Sequence, residues 1–223
     1  MEQVLQNKFA RELAVGLILM AIVSAIVLAA LVSREPIMLT DVTISREIQE
    51  DVGRGPLPVM EFISLFGTPA VAAATVIFFA AGFAVLRHRR EALFVLLTPL
   101  ASLANVLIKL VVNRPRPTPA AVIVYEQLKD ASFPSGHVVF YVVLFGFLAA
   151  IMIVQHRLPR FLRIIVGTVS LGLIVGVSVS RIYLGAHWLT DVIGGYLVGF
   201  VFLSVYLRFY FSNFRAEPQK KDV

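Results

Sequence analysis

Apolar residues run through this chain in six blocks, each about as long as a bilayer is thick. Leu13–Ser33 carries no charged side chain and follows Lys8 and Arg11. The next blocks cover about 57–86, 92–112, 136–154, 161–180 and 188–211, separated by polar or basic connections. A spanning helix needs about 20 predominantly apolar residues, and every block meets that length. The first block is too long for the apolar core of a secretory signal and no small-residue cleavage site follows it, so it too is expected to span. The second is interrupted by Glu61 near its start and by Gly67-Thr68-Pro69. No strand-like alternation is present. The expected fold is all-α: a polytopic membrane protein with six transmembrane helices.

The connection TDVTISREIQEDV spaces Ile44, Ile48 and Val52 four apart, which predicts a short external amphipathic helix. Such a helix lies on the membrane surface or, as the plainer reading has it, packs to close the bundle.

Composition sharpens this picture. Of the 223 residues, 58% are hydrophobic and only 15% charged, whereas a soluble domain carries about a quarter charged residues. Cysteine is absent, which excludes disulfides, thiolate metal sites and cysteine nucleophiles. The net charge of +6 invites a nucleic-acid partner, but the distribution of the basic residues argues for a membrane instead. With the N-terminus inside, 12 of the 20 Lys and Arg fall on the cytoplasmic side, including the clusters at 87–90 and 157–163. The positive-inside rule then puts both termini in the cytoplasm and the connections at 34–56, 113–135 and 180–187 outside. A single domain over 1–223 is expected, with 214–223 as a solvated basic tail.

Three motifs interrupt the apolar pattern, all on the expected outer side. In SRIYLGAHWLTD, Arg181 and Asp191 are the only charged residues between 164 and 207, with His187 between them. His187 and Asp191, four apart, share a helical face, so the carboxylate can hold one imidazole nitrogen and leave the other free. The plainer reading is a buried Arg181–Asp191 pair with a bystander histidine, but ionisable groups at membrane depth are costly and functional by default. In FPSGH, Phe133–His137, Ser135 is a plausible N-cap and Gly136 leaves the first N–H groups unobstructed, which suits an anion. A capped helix with a surface histidine is the alternative. In KLVVNRPRP, prolines stop the helix after Lys109 and turn Arg116 over the bundle mouth. A snorkelling lysine is the plainer account of Lys109, and spacing leaves open whether Arg114 or Arg116 faces inward. The other two histidines, His88 and His156, lie in basic cytoplasmic loops, where a solvated side chain is expected.

Lys109, Arg116 and Arg181 beside a helix N-terminus at Ser135-Gly136 suit phosphate, whose oxygens match arginine forks. One histidine, held by a carboxylate, can attack phosphorus; the other can protonate the leaving oxygen and later activate water. The cations would stabilise charge on the equatorial oxygens. His137, His187 and Asp191 as zinc ligands is the weaker reading, because three cations around one point repel a divalent ion. No acidic cluster is present to hold magnesium against phosphate. No metal or cofactor is expected.

The set K-x6-R-P, PSGH and S-R-x5-H-x3-D, here Lys109–Pro117, Pro134–His137 and Ser180–Asp191, resembles the three-part signature of the type 2 phosphatidic acid phosphatase superfamily. The order of the motifs, their external placement and the six spans resemble its membrane branch, with 109–191 as the motif-bearing core. The resemblance implies His187 as the nucleophile that forms a phosphohistidine, Asp191 as its orienting partner, and His137 as general acid and then base. It implies that Lys109, Arg116, Arg181, Ser135 and the Gly136 N–H hold the phosphoryl group without a metal, and it favours Arg116 over Arg114. The soluble haloperoxidases of the superfamily are set aside by the six spans. The implied activity is a lipid phosphatase at the outer face of a bacterial plasma membrane. Undecaprenyl pyrophosphate is the favoured substrate, with phosphatidylglycerophosphate or phosphatidic acid next. A lipid phosphotransferase using the same intermediate is one alternative. A non-catalytic binding or transport protein for an anionic lipid is the other, and it would have no need of His137.

Overall fold

The computed structural model describes the backbone of residues 2–52 and 54–214 and the side chains of 11–50 and 54–212. Of the expected tail, residues 215–223 lie outside the described residues. The helices are α1 (Glu2–Arg34), α2 (Leu39–Val52), α3 (Leu57–Leu65), α4 (Pro69–Val85), α5 (Arg89–Leu97), α6 (Pro99–Val112), α7 (Gly136–Val154), α8 (Arg160–Tyr183) and α9 (Leu189–Phe214), with no strand among the described residues. The segments 11–34, 89–112, 136–154, 160–183 and 189–212 are each long and apolar enough to cross a membrane, and α3 and α4, bent by 60° to one another, together meet the same test, which gives five spans or six if the bent pair is one.

Two threonine-proline steps explain why one span bends and another does not. Thr68 is extended (φ −70°, ψ 144°) ahead of Pro69, as the proline ring demands of its predecessor, so the helix breaks. Thr98 stays helical (φ −57°, ψ −33°) ahead of Pro99, and α5 runs on into α6. Its hydroxyl donates to the Val95 carbonyl at 2.7 Å, which helps keep that turn closed.

Helix α7 is apolar all round and forms the centre, packed against α6, α8 and α9. Helix α1 lies outside against α9 and presents Leu19, Met20, Val23 and Ile26 outward, as a lipid-facing helix does. Helix α2 packs on α8 and α9 and closes the bundle. Its inward face differs from the expectation: Asp41, Ser45 and Gln49 are buried, while Ile44 and Ile48 are only half-buried, and the Val52 side chain lies outside the described residues. The polar stripe faces in because the ends of α8 and α9 offer it main-chain partners, as when Gln49 Nε2 donates to the Tyr183 carbonyl at 2.9 Å.

At the opposite end, buried Glu91 accepts from Tyr210 (2.7 Å) and Gln155 (2.8 Å). His88 is half-buried beside them, 3.2 Å from Gln155, rather than solvated; His156 is exposed as expected. The three motifs meet at the first end, where α6 and α8 finish and α7 and α9 begin.

Candidate active site

Helix α8 ends in a turn that only glycine fits. Gly185 has φ +62°, and a Cβ there would stand 2.1 Å from the Ile123 carbonyl oxygen. The turn brings the main-chain N–H of His187 onto the Arg181 carbonyl (3.1 Å) and launches α9. Asp191, three residues into the sequence after Trp188, reaches back to accept the Trp188 N–H at 2.9 Å, one half of a capping box. The same oxygen lies 3.4 Å from His187 Nδ1, at ion-pair distance but off the line of a hydrogen bond.

On the other edge of the ring, Arg116 Nη1 is 3.2 Å from Nε2. A guanidinium only donates, so Nε2 is the acceptor and Nδ1 carries the proton on the Asp191 side. Burial first, and then the charges of Arg116, Arg181 and Lys109, push the His187 pKa well below 6.5. The ring is neutral, with its Nε2 lone pair facing the cations. That is the protonation state of a nucleophile.

Asp191 is itself held from behind by residues outside the signature positions. Arg114 donates to Asp191 Oδ1 (2.6 Å), to Thr190 Oγ1 (2.7 Å), to Asp41 Oδ2 (2.7 Å) and to the Pro36 carbonyl (2.9 Å). Asp41 also accepts the Thr190 N–H at 2.9 Å, so a carboxylate from α2 sits at the positive end of α9. The side chains of Arg114, Asp41 and Asp191 are wholly buried. Of the two arginines left open by spacing, Arg114 faces the back of the site and Arg116 its mouth.

The second motif is locked to the third, because the Ser135 N–H donates to the Asp191 carbonyl at 3.0 Å. Ser135 is the N-cap residue of α7, but its hydroxyl caps nothing. His137, one residue beyond Gly136, packs its ring on Gly67 in the bend between α3 and α4. A Cβ on Gly67 would lie 2.1 Å from His137 Cδ2, so the broken span makes room for the imidazole. Arg181 donates from Nη1 to Ser64 on α3 and to Glu126 Oε2 (2.6 Å).

Lys109, Arg116, Gly136, His137 and His187 line one cavity of about 500 Å³ with Asp130 and Asn105. Ser135, Arg181 and Asp191 are buried next to these residues and do not themselves line the cavity. The cavity continues between α4 and α6 along Ala72, Ala73, Val76, Ser102 and Val106. Asn105 Oδ1, Ser135 Oγ, His137 Nε2, and Arg181 Nε and Nη2 are buried without a hydrogen-bond partner. Such atoms cost about 1–3 kcal/mol each when left unpaired, and these are donors and acceptors that a polar ligand can pair with. Among the described residues no group of three His, Asp or Glu converges as metal ligands do. Asp41, Thr190 and Asp130 are not singled out by the motifs, Arg114 enters there only as the alternative to Arg116, and Gly67 only as part of the break after Phe66.

A family model described as the PAP2 superfamily matches residues 90–215, more than half of the chain and all three motifs. The chain belongs to the PAP2 superfamily. It is 32% identical over 146 residues to phosphatidylglycerophosphatase B of Bacillus subtilis (strain 168), an alignment that covers 63% of this chain and 68% of that one. Its fold is similar to the crystal structure of a transmembrane PAP2 type phosphatidylglycerolphosphate phosphatase from Bacillus subtilis. The TM-score is 0.77 at 22% identity, covering 91% of this chain and 98% of the other. With its membrane-spanning helices, this PAP2 member is an integral-membrane lipid phosphatase.

Proposed function

We propose that the protein removes the terminal phosphate of phosphatidylglycerophosphate through a phosphohistidine on His187. The observation that carries this reading is the cluster of unpartnered buried atoms on Ser135, His137, Arg181 and Asn105 around neutral His187. A phosphate monoester would satisfy the Ser135 and Arg181 donors together and bring phosphorus to Nε2.

In the first step a bond forms between His187 Nε2 and phosphorus while the bond from phosphorus to the lipid oxygen breaks. His137 Nε2 gives that oxygen its proton. The imidazole gains positive charge as it is phosphorylated, and Asp191, fixed by Arg114, stabilises the Nδ1–H side. In the second step His137 takes a proton from water as the water oxygen attacks phosphorus, and the P–N bond breaks to release inorganic phosphate. Lys109, Arg116, Arg181 and the Gly136 N–H spread the charge of both transition states.

The similarity to phosphatidylglycerophosphatase B moves phosphatidylglycerophosphate ahead of undecaprenyl pyrophosphate and phosphatidic acid in the order of substrates. The groove between α4 and α6 suits the acyl chains. From Lys109 to Pro99 it runs about 15 Å along α6, half a hydrocarbon core. The distribution of basic residues supports cytoplasmic termini and a site on the outer side of a bacterial plasma membrane, with the whole chain as one domain.

Phosphate release by the purified protein in detergent and excess EDTA tests this reading, with the three lipids compared beside His187→Ala. Release that survives chelation, disappears in the variant and is fastest with phosphatidylglycerophosphate is expected. A folded protein that releases nothing from any lipid would overturn catalysis in favour of binding or transport. Loss of activity with EDTA would overturn metal independence, and a newly phosphorylated lipid acceptor would move the reading to phosphotransfer.

A further inference from the structure

The two cations that line the cavity mouth, Lys109 and Arg116, hold an anion that belongs to the chain. Asp130 places Oδ2 2.6 Å from Lys109 Nζ and Oδ1 2.7 Å from Arg116 Nη2. Its carbonyl accepts from Arg116 Nε at 2.8 Å, and the Ala131 carbonyl accepts from Lys109 at 2.6 Å. Two carboxylate oxygens bridging two cations occupy the places that two phosphate oxygens would take. The Asp130 side chain is 57% exposed whereas those of Lys109 and Arg116 are 10% exposed, so the carboxylate closes the clamp from the solvent side. Partial burial works to raise the Asp130 pKa. The Lys109 hydrogen bond and the charges of Lys109 and Arg116 outweigh that and draw it down from 3.8 to about 2. The competing charge is therefore present at every pH at which the enzyme would work.

We propose that Asp130 is a specificity residue that sets a charge threshold for entry, admitting dianionic phosphate groups and excluding the phosphodiesters of bulk lipid. The inference rests on the reading of Lys109 and Arg116 as phosphate ligands. A diester brings one negative charge and would replace one carboxylate charge with another, while also losing its freedom of motion, so the exchange gains nothing. A terminal monoester carries about −1.5 to −2 at neutral pH. It gains the extra Coulomb attraction and also reaches the unpartnered Arg181 and Ser135 groups that Asp130 leaves untouched. A membrane presents diester headgroups at far higher concentration than any phosphorylated intermediate, so a site open to both would be filled with diesters. A pyrophosphate passes the same threshold.

The test compares the full-length wild type with Asp130→Asn and Asp130→Glu in detergent. Inorganic phosphate binding is read by calorimetry, and inhibition of monoester hydrolysis by added phosphatidylglycerol is read kinetically. Asp130→Asn is expected to bind inorganic phosphate about tenfold more tightly, to lower KM more than it changes kcat, and to be inhibited by phosphatidylglycerol at concentrations that leave the wild type unaffected. Asp130→Glu, which keeps the charge, is expected to restore exclusion. Equal phosphate affinity and equal diester inhibition in wild type and Asp130→Asn would overturn the proposal. The calorimetry needs no turnover, so a wild type that hydrolyses nothing would sink the phosphatase reading while the charge threshold is still decided.

Discussion

Two sets of ion pairs flank His187, and they differ in everything except their chemistry. Behind the ring, Arg114 joins Asp41 and Asp191, with both carboxylates and the guanidinium wholly buried and paired. In front, Lys109 and Arg116 hold Asp130, which is more than half exposed. Removing one member of a buried pair leaves an uncompensated charge and costs about 3–5 kcal/mol. A pair whose carboxylate lies largely in solvent is screened and contributes less. The same contact is thus a fixed brace on one side and an exchangeable closure on the other, and solvent decides which. The brace has to be fixed because it orients the carboxylate that faces His187 Nδ1 at 3.4 Å. On the proposed function the closure has to be exchangeable, because a phosphate would take its place.

The largest effect that would break this comparison is expected from Asp191→Asn. Loss of the carboxylate frees the imidazole to take the wrong tautomer, and kcat should fall by about 10⁴-fold with the fold retained. Steady-state phosphate release beside a thermal melt checks both halves. Arg114→Ala comes next: it leaves Asp41 and Asp191 facing each other unneutralised and should cost about 3–5 kcal/mol of stability. A melting temperature equal to that of the wild type would mean the rear pairs are no brace. Gly67→Ala tests the positioning of the second histidine. Its Cβ would displace the His137 ring, and a shift of about 1 Å should lower kcat up to about 10²-fold while KM moves less. The smallest effect is the sharpest: Asp130→Asn should change the unfolding free energy less than Arg114→Ala does, even as it alters ligand binding.

The pH behaviour of His187 follows from the same geometry. Its pKa is lowered by burial and by the surrounding Arg116, Arg181 and Lys109, against the opposing charge of Asp130. The folded protein therefore keeps the ring neutral below 6.5, where an unfolded chain takes up the proton. His187 contributes stability above pH 6.5 that is lost as the pH falls towards its folded pKa. Nitrogen-15 NMR of labelled histidine should show a neutral, Nδ1-protonated ring for His187 at pH 6.5; an imidazolium there would contradict the arrangement.

Much of the site is legible in the sequence because its chemistry is dense and its background is not. Charged and histidine residues are so expensive within apolar spans that Lys109, Arg181, His187 and Asp191 stand out without help, and the spans themselves follow from length and hydropathy. Asp41 does not stand out. It sits on a short polar helix whose apolar spacing draws attention to Ile44 and Ile48, whereas the buried stripe is Asp41, Ser45 and Gln49. Its partner Thr190 is 149 residues away, and no periodicity connects them. Arg114 and Arg116 share a motif and a charge, and they part only in the folded chain, where Arg114 reaches Asp191 and Arg116 lies beside His187 Nε2.

By itself the sequence determined that this is an all-helical membrane protein with a cationic, two-histidine site at one end. Local hydropathy and the cost of ionisable groups in lipid are properties of each segment alone. Tertiary structure decided which arginine lies behind His187 and which in front, why a glycine sits in the bend between α3 and α4, and which carboxylate pairs with Lys109 and Arg116. Those outcomes depend on burial and on contacts between distant segments, and burial exists only once the helices have packed.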